Sequence, residues 1–428
     1  MPIDFQLSAT EDGIRRHTAA FAAGSLKDIK KVYSAKKDEQ QFQALKPFYS
    51  DATAGGMIKG FIAPHLGGAA GSLTEAAILV EEMYAVDPSA SLTIYSTALG
   101  LTPLNLAGKE EHKEFLEPFL NGEGAPLASL VFSEPGGVAN FLEKGAPGLN
   151  TNATLEGDEW VLNGEKMWAT NCAGWDFEGA DLQCVVCRDT SVTSDKPADA
   201  VMILLVSRAD IERNEKGAFK TLKHVLTTGH PACSGPHIKY TNLRVPTKNV
   251  LCPPGQGVPV VLRAFDFSAI LVGAMSVSVM RAAFEAALAF AKVDNRRGAE
   301  DLLSRQAFAD ILSGIKMKTE ASRALTWKAA HALQNGPGDY NARRELALAA
   351  KIYCSEESVK AVTEAISAVG VTAYSTEQPF RDLLNTAIVL PIFDGGNVGM
   401  RRRHMQELMA SKSYDPWAST YGPSQPLN

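Results

Sequence analysis

The chain has 428 residues, of which 45% are hydrophobic and 21% are charged, and its formal net charge is −6. This is the composition of an ordinary globular protein, and the length is sufficient for two or three domains with a large core. The negative net charge argues against a nucleic-acid partner. We see no apolar run of signal-peptide length at the start and expect no stretch to approach the length of a membrane span. These features predict a cytoplasmic protein without a membrane partner.

Six cysteines are scattered along the chain, which is typical of a protein whose thiols stay reduced. Cys184 and Cys187 lie in the run DLQCVVCRD, where a β-strand would direct residues three apart to opposite faces. No second Cys-x-x-Cys and no His-x-x-x-His spacing accompanies them. We therefore predict structural cysteines in a strand and no metal site.

Three blocks with different patterns follow one another. Residues 1–125 are predicted to form a helical domain, in which Ser8 precedes Glu11 at the spacing of a capping box and Ser72 precedes Glu75 in the same way. Residues 126–250 are predicted to form a β domain. The runs ASLVFS (128–133), AVMILLVS (200–207) and PHIKYTNLRVP (236–246) have strand patterns, and Gly157-Asp158 and Asn163-Gly164 are hairpin signals.

Helical patterns return in the third block, residues 251–428. The segment at 268–292 is apolar nearly all round, which predicts a helix buried in the middle of a bundle. Gly370 follows an amphipathic pattern and is typical of a helix C-terminus. The order of helices, strands and helices predicts an α+β fold with a helical bundle at the C-terminal end.

The segment IFDGGNVGMRRR contains Asp394, followed by Gly395 and Gly396, and then Arg401 seven residues after the aspartate. One interpretation is a tight turn before a solvated helix. The other is an acid–base site in which Arg401 keeps a buried carboxylate ionised. If a helix starts at the glycines, Arg401 lies two turns along the same face.

Four segments, in order, resemble motifs of the acyl-CoA dehydrogenase superfamily. ASLVFSEPGG resembles its Thr-Glu-Pro-Gly flavin loop, with Ser133 at the Thr position, and GEKMWATN resembles its Gly-x-Lys-x-Trp-Ile-Thr-Asn strand. RRGAEDLLSRQ has the superfamily's spacing from Arg to Gln, and IFDGG occupies the position of Tyr-Glu-Gly-Thr, which carries the catalytic glutamate. The resemblance spans the chain and implies an N-terminal helical domain, a central β-sheet domain and a C-terminal four-helix bundle.

Departures from that pattern point to one branch. Asp394 stands where the superfamily has glutamate, and its Gly-Ser-Asp, whose serine helps to hold CoA, reads Val138-Ala139-Asn140. With MRRRHMQ and YDPWASTYG near the C-terminus, the chain resembles the branch that oxidises nitroalkanes. This implies an FAD-dependent oxidase that converts primary and secondary nitroalkanes, with O2 and water, to aldehydes or ketones, nitrite and hydrogen peroxide. In that branch a carboxylate removes a proton and the carbanion attacks flavin N5.

Two alternatives stay open at this point. One is an acyl-CoA dehydrogenase or oxidase with an aspartate base, and the other is a non-catalytic helical scaffold. The loss of the serine that holds CoA argues against the first, and the Asp394/Arg401 pair argues against the second. The resemblance also implies a homo-oligomer, and we expect a homotetramer.

The resemblance assigns roles to particular residues. Asp394 would be the general base, Arg401 its counter-charge, and Ser268 a hydrogen-bond donor to the carboxylate, with a helix N-cap as the alternative for Ser268; Asp266 has no role. Trp168 would cover the flavin ring and Thr170 would reach N5, with a core tryptophan and a strand hydroxyl as the respective alternatives. Arg296 would pair with the FAD diphosphate, and Gln306 and the SAVG segment at 367–370 would hold the adenine from a neighbouring subunit. Surface or capping polarity is the alternative for these residues. The expected FAD contacts are Leu130, Val131, Phe132, Ser133, Trp168, Ala169, Thr170, Arg296, Gln306, Ser367, Gly370, Gly395 and Gly396.

Overall fold

The computed structural model describes residues 6–424, and its elements follow the predicted order of helices, strands and helices. The α-helices are α1 Ala9–Phe21, α2 Ile29–Ser34, α3 Glu39–Gln43, α4 Lys46–Ala54, α5 Leu73–Tyr84, α6 Pro88–Ala107, α7 Glu117–Leu120, α8 Arg208–Glu212, α9 Gly257–Ala291, α10 Gln306–Asn335, α11 Tyr340–Val369, α12 Phe380–Val389, α13 Arg402–Ala410 and α14 Ala418–Tyr421. The strands are β1 Ala128–Val131, β2 Asn152–Glu156, β3 Glu159–Met167, β4 Leu182–Asp189, β5 Val201–Ser207, β6 Phe219–Lys223, β7 His237–Pro246 and β8 Val250–Cys252.

The described chain divides into two compact units. The helical unit contains residues 6–27, 72–88 and 265–424, and the sheet unit contains residues 28–71 and 89–264. Each unit is assembled from separate stretches of the sequence. The division into contiguous domains at 1–125, 126–250 and 251–428 therefore stays a prediction about sequence blocks.

The sheet unit is built on one mixed sheet. Its strand order is β6-β7-β3-β2-β4-β5-β8, and β1 pairs in parallel with β4. Gly157-Asp158 forms the predicted hairpin, since Glu156 pairs with Glu159 across it. The second predicted hairpin is wrong: Asn163-Gly164 lies inside β3, at an irregularity in its pairing with β7. Gly164 has a φ of 139° there, and a Cβ on it would lie 2.6 Å from Cα of Thr151, so the glycine permits a close backbone approach and does not form a turn.

Cys184 and Cys187 are structural residues of β4, as predicted. Both are fully buried. Cys187 belongs to the hydrophobic core of the sheet unit, whereas Sγ of Cys184 lies 3.2 Å from the carbonyl oxygen of Gly100 in α6. The alternation of a strand thus directs the two thiols to opposite faces.

The long apolar helix differs from the prediction. It begins at Gly257, well before residue 268, and ends at Ala291. By length and composition it could cross a membrane, so the expectation that no stretch approaches that length was wrong; 67% of its most apolar window is buried within the protein. Small side chains permit close packing around it: a Cβ on Gly273 would lie 2.7 Å from Oγ1 of Thr326 in α10.

Helix ends follow the local sequence signals. Ser8 and Glu11 form the expected capping box at the start of α1. Ser72 accepts a hydrogen bond from the backbone N–H of Glu75 at the start of α5. Gly370 ends α11 with a φ of 73°. These ends are local features, which is why the sequence alone predicted them.

Candidate active site

Asp394 lies in a short loop with an unusual backbone. The loop separates α12 from a π-helical turn at Asn397–Arg401, and Asp394 and Gly395 have φ values of 53° and 68°. Aspartate is one of the few residues besides glycine that adopts this left-handed region readily. Glycine at 395 also leaves room for a neighbour, because a Cβ there would lie 3.3 Å from Nε of Arg401. The Asp-Gly-Gly turn therefore allows Arg401 to approach the loop closely.

Two side chains hold the Asp394 carboxylate. Ser268 donates from Oγ to Oδ1 at 2.6 Å, and Arg401 donates from Nη2 to Oδ2 at 2.8 Å. Nε and Nη2 of Arg401 also bind the Asp394 carbonyl oxygen, at 3.1 and 2.7 Å. The Asp394 side chain is 7% exposed and that of Arg401 is 2% exposed. Of the two interpretations of this segment, the geometry favours an acid–base site over a solvated turn.

Arg401 is itself held on its far side. Its Nη2 donates to the carbonyl oxygen of Phe265 at 3.0 Å, and its guanidinium carbon lies 5.9 Å from the centroid of the Phe265 ring. Nη1 lies 3.9 Å from Oδ1 of Asp266. A buried cation needs such partners, because the cost of removing it from water is otherwise not offset. Arg401 is thus placed between two carboxylates.

Asp266, which sequence patterns leave without a role, connects Arg401 to α11. Nε of Arg344 lies 2.9 Å from Oδ2 of Asp266, and the Tyr340 hydroxyl donates to the same oxygen at 3.0 Å. Burial raises the pKa of the Asp266 carboxyl, and the charges of Arg344 and Arg401 oppose that effect. The charges alternate in sign from Asp394 through Arg401 and Asp266 to Arg344.

Two local expectations at this site are wrong. The alternative role of Ser268 as a helix N-cap does not apply, since α9 begins at Gly257 and Ser268 lies in its interior. Arg401 does not lie two α-helical turns along one face. It ends the π-helical turn at Asn397–Arg401, and α13 begins only at Arg402.

Sequence patterns also missed residues that hold the loop around Asp394. Lys351 of α11 donates to the side chain of Asn397, immediately after the glycines. The one sequence signal for Lys351 is a lysine within the apolar helical run LALAAKIYC. For Asn397 we find no signal, because its partners are remote in the chain.

In the sheet unit, the two segments expected to contact a flavin lie together. The backbone N–H of Met167 donates to the carbonyl oxygen of Ser133 at 3.0 Å. Lys166 donates to the Phe132 carbonyl oxygen at 2.8 Å and to Glu134 Oε1 at 3.0 Å. The Lys166 and Glu134 side chains are 0% and 2% exposed. This buried ion pair ties the end of β3 to the loop that follows β1.

Trp168, Ala169 and Thr170 follow directly after β3. Trp168 has a φ of 68° and is 51% exposed, so its indole ring is available to a ligand. Thr170 is half-buried, and its carbonyl oxygen accepts a hydrogen bond from Oγ of Ser129 at 2.7 Å. The Ala169 side chain is buried in the hydrophobic core, so only its backbone is free for a cofactor.

The residues of β1 and the loop after it fit the flavin assignment. Leu130, Val131 and Phe132 are buried, which leaves only their backbone for a ligand, as the resemblance implies. Among the described residues, β1 pairs with β4 alone, so its second edge carries backbone groups without a strand partner. Ser133 is half-buried. An exposed indole, two half-buried hydroxyl residues and a strand edge without a strand partner match the requirements of a flavin ring for a platform and polar partners.

The residues expected at the diphosphate and adenine are in the helical unit. Arg296 has a φ of 51° and donates from Nη2 to the carbonyl oxygen of Val369, directly before Gly370. The structure thus brings Arg296 to the Gly370 turn. Gln306 is the exposed first residue of α10. The Ser367 hydroxyl donates to the Thr363 carbonyl oxygen at 2.9 Å within α11, and its contact with the adenine stays a prediction.

Family models and curated relatives identify the group of proteins to which this geometry belongs. The model described as the acyl-CoA dehydrogenase N-terminal domain matches residues 8–123, and that of the C-terminal domain matches residues 255–409. Nitroalkane oxidase from Podospora anserina is 63% identical over 427 residues, which are 99% of each chain. Nitroalkane oxidase from Fusarium oxysporum is 46% identical over 434 residues, which cover 99% of this chain and 98% of that one.

Solved structures agree with these relationships. Podospora anserina nitroalkane oxidase matches with a TM-score of 0.97 and 63% identity, covering 98% of this chain and 100% of that one. Butyryl-CoA dehydrogenase from Megasphaera elsdenii matches with a TM-score of 0.81 at 22% identity, covering 96% and 100% of the two chains, and this shows the fold alone. The prediction of an α+β fold of the acyl-CoA dehydrogenase type is confirmed. The chain belongs to the nitroalkane oxidases within the acyl-CoA dehydrogenase family.

Proposed function

We propose that the chain is a flavin-dependent oxidase of primary and secondary nitroalkanes in which Asp394 is the general base. The observation that carries this proposal is the buried Asp394 carboxylate, which Ser268 and Arg401 hold by its two oxygens at 2.6 and 2.8 Å. The overall reaction converts a nitroalkane, O2 and water to an aldehyde or ketone, nitrous acid and hydrogen peroxide. For nitroethane the carbon product is acetaldehyde, and the equation balances.

The chemistry of the substrate explains why one carboxylate is sufficient. The carbon beside a nitro group is an unusually strong carbon acid, because the nitro oxygens take up the negative charge when the proton leaves. A carboxylate within reach and out of bulk water can remove that proton. Ser268 and Arg401 each occupy one lone pair of Asp394 and leave others to accept it. Arg401 also places a positive charge against the carboxylate, with Nη2 2.8 Å from Oδ2.

Several residues of the described chain fit an FAD cofactor. Bound FAD would accept the electron pair of the deprotonated substrate and pass it to O2. The Trp168 ring and the hydroxyls of Ser133 and Thr170 would orient the isoalloxazine ring. Arg296 would pair with the diphosphate, since a guanidinium matches phosphate oxygens, and Gln306 and Gly370 would lie toward the adenine.

We also propose that the protein is a cytoplasmic homotetramer. The resemblance of the chain implies FAD contacts from a neighbouring subunit, and the Arg296–Gly370 region of the helical unit is the surface that would supply them. Exposed apolar side chains lie near it, with Val371 82% and Tyr374 91% exposed. Apolar surface of this kind in a folded protein favours burial against another chain.

An acyl-CoA dehydrogenase with an aspartate base is less well supported. The segment that resembles the CoA-holding Gly-Ser-Asp reads Val138-Ala139-Asn140 and so offers no hydroxyl at the middle position. Without this hydroxyl, a polar group of bound CoA would lose its water and gain no hydrogen-bond partner from the protein in exchange. A scaffold without catalysis would not require a buried carboxylate between a serine and an arginine.

The test is an assay of the purified flavin-containing protein with neutral nitroethane. We expect oxygen uptake with nitrite and hydrogen peroxide formed in equal amounts. Butyryl-CoA, added anaerobically, serves as the competing substrate, and bleaching of the flavin by it at a comparable rate would favour the acyl-CoA alternative. A protein that binds flavin but releases no nitrite would contradict the proposed function.

A further inference from the structure

A lysine is fully buried in the middle of α11, within the helical unit. Lys351 is 0% exposed and ranks among the largest fully buried side chains of the described residues. Lysine is rarely buried, because its ammonium group loses its hydration. Burial lowers the pKa of Lys351 to about 7. An apolar side chain of the same length would fill this space without that cost, so the contacts of Nζ must account for the lysine.

Nζ of Lys351 contacts both ends of the loop that carries Asp394. It donates to Oδ1 of Asn397 at 2.7 Å and to the carbonyl oxygen of Pro391 at 3.3 Å. The two ends are also joined directly, since the backbone N–H of Asn397 donates to the Pro391 carbonyl oxygen at 2.8 Å. Lys351 therefore bridges the two ends of the loop, and Asp394 lies between those ends.

Asn397 is fixed on its other side as well. Its Nδ2 donates to Oγ of Ser355 at 3.1 Å and to Oε1 of Glu356 at 3.0 Å, both on α11. The amide oxygen thus faces the lysine and the amide nitrogen faces acceptors. Every polar atom of the Asn397 side chain has a partner, as buried groups require. The end of the loop is consequently anchored to one face of α11.

The charges around Lys351 tie it electrostatically to the base. Its pKa is lowered first by burial and also by the positive charge of Arg401, whereas the negative charges of Asp394 and Glu356 raise it. Lys351 therefore interacts with Asp394 through its charge, whereas Arg401 binds the same carboxylate directly at 2.8 Å. Anchoring matters here because Asp394 has a φ of 53°, a conformation that the surrounding structure must hold.

We infer that Lys351 is a positioning residue for the base: by holding Pro391 and Asn397 it fixes the loop that directs the Asp394 carboxylate toward the substrate proton. This inference rests on the proposed function. It assigns to α11 a part in proton abstraction that neither the motif around Asp394 nor the spacing to Arg401 indicates.

The test compares two forms of one substrate in a Lys351→Met variant. Neutral nitroethane needs a base, and its preformed nitronate anion does not. We expect kcat/KM for neutral nitroethane to fall on the order of 10–100-fold, the size typical of a catalytic group displaced by about 1 Å. The rate with the nitronate should fall much less. A Lys351→Gln variant keeps an N–H donor without the charge, and its rate with neutral nitroethane should lie between those of the wild type and the Met variant.

Lys318→Met is the matched control, because Lys318 makes an ion pair with Glu364 of α11 at 2.9 Å but does not contact the loop. It should leave both rates unchanged. Equal losses with both substrates in Lys351→Met, or no loss with either, would overturn the positioning role while the wild type still releases nitrite. If Lys351→Met does not fold, a ratio of the two rates in Lys351→Gln equal to the wild-type ratio would overturn it. A wild type inactive on both substrates would overturn the proposed function and this inference together.

Discussion

Asp394 shows how one residue can satisfy a backbone and a chemical requirement together. Its φ of 53° suits the turn before two glycines, and the same turn brings its carbonyl and carboxylate oxygens to one guanidinium. A residue with a shorter acid side chain than glutamate can adopt this conformation, because aspartate tolerates the left-handed region better than longer residues do. The aspartate is therefore a feature of the turn and of the site.

Asp394→Asn keeps the shape of the side chain and removes the base. We expect the rate with neutral nitroethane to fall at least ~10²–10⁴-fold, the usual cost of losing a general base, and the rate with preformed nitronate to fall much less. Single-turnover reduction of the flavin with each substrate measures both. Similar losses with the two forms would point to damaged flavin binding and against the base assignment. Normal rates with both would support an ordinary turn, in which asparagine is a good substitute.

At the scale of elements, the loop after α12 depends on the close approach of Arg401, which ends the following π-helical turn. Gly395 has a φ of 68°, and a Cβ there would lie 3.3 Å from Nε of Arg401. The π-helical turn at Asn397–Arg401 then places the arginine side chain back over the loop. The turn, the π-helical turn and α13 follow one another without a break, and together they place Arg401 against the Asp394 carboxylate.

Gly395→Ala should disturb this arrangement. The left-handed backbone costs a residue with a Cβ on the order of 1–2 kcal/mol, and the added methyl group presses on Arg401. We expect a lower melting temperature and a lower kcat/KM for neutral nitroethane. Gly24→Ala is the control, since a Cβ there meets nothing within 4 Å and its φ is not positive. Equal behaviour of the two variants would contradict the close approach of Arg401.

His404 makes α13 sensitive to acid. It is 8% exposed, and burial, together with the charges of Arg344, Arg401 and Arg403, lowers its pKa to about 4 from 6.5. The unfolded chain therefore binds a proton at this position between pH 6.5 and 4 that the folded chain does not bind. The contribution of neutral His404 to the unfolding free energy is therefore fully present above pH 6.5 and is lost as the pH falls toward 4.

His404→Gln removes that titration. Relative to the variant, the wild type should lose at most about 1.4 kcal/mol of unfolding free energy per pH unit between pH 6.5 and 4. Denaturant unfolding of both proteins at pH 7, 6 and 5 measures the difference. The difference should be constant above pH 7, and a difference that grew toward alkaline pH would contradict the assignment.

At the scale of the whole molecule, substrate choice follows from what the chain lacks. The segment Val138-Ala139-Asn140 provides no serine for the CoA chain. We expect CoA thioesters to be neither oxidised nor able to compete with nitroethane. Anaerobic mixing with butyryl-CoA, followed by flavin absorbance, tests this, and bleaching as fast as that by nitroethane would overturn the prediction.

The expected oligomeric state is a second property at this scale. The chain has a mass of 45.8 kDa, and we expect a species of four chains in sedimentation of the flavin-saturated protein. Tyr374→Asp places a charge on an apolar side chain that is 91% exposed and should weaken association, because a buried unpaired charge is costly. A flavin-saturated monomer in the wild type would contradict the tetramer and the expected contacts from a neighbouring subunit.

The sequence by itself determined features whose causes are local. The capping box at Ser8, the glycine end of α11 at Gly370 and the strand cysteines of β4 were all predicted, because each depends on neighbouring residues. The same holds for the turn at Asp394, with Arg401 only seven residues away. The order of the four motifs predicted the acyl-CoA dehydrogenase type of fold, because the motifs are distributed along the whole chain. Local signals failed at Asn163-Gly164, which lies inside β3 and pairs with β7 instead of forming a hairpin turn.

Only the tertiary structure decided how the Asp394 carboxylate is held. Ser268 binds Asp394 across 126 residues of sequence, Arg344 reaches Asp266 across 78, and Lys351 reaches Asn397 across 46. Nothing in a local pattern states which distant helix will pack beneath a loop. A buried lysine or aspartate is stable only where the folded chain supplies its partners, so the contacts of Lys351 and Asp266 could be identified only in the folded chain.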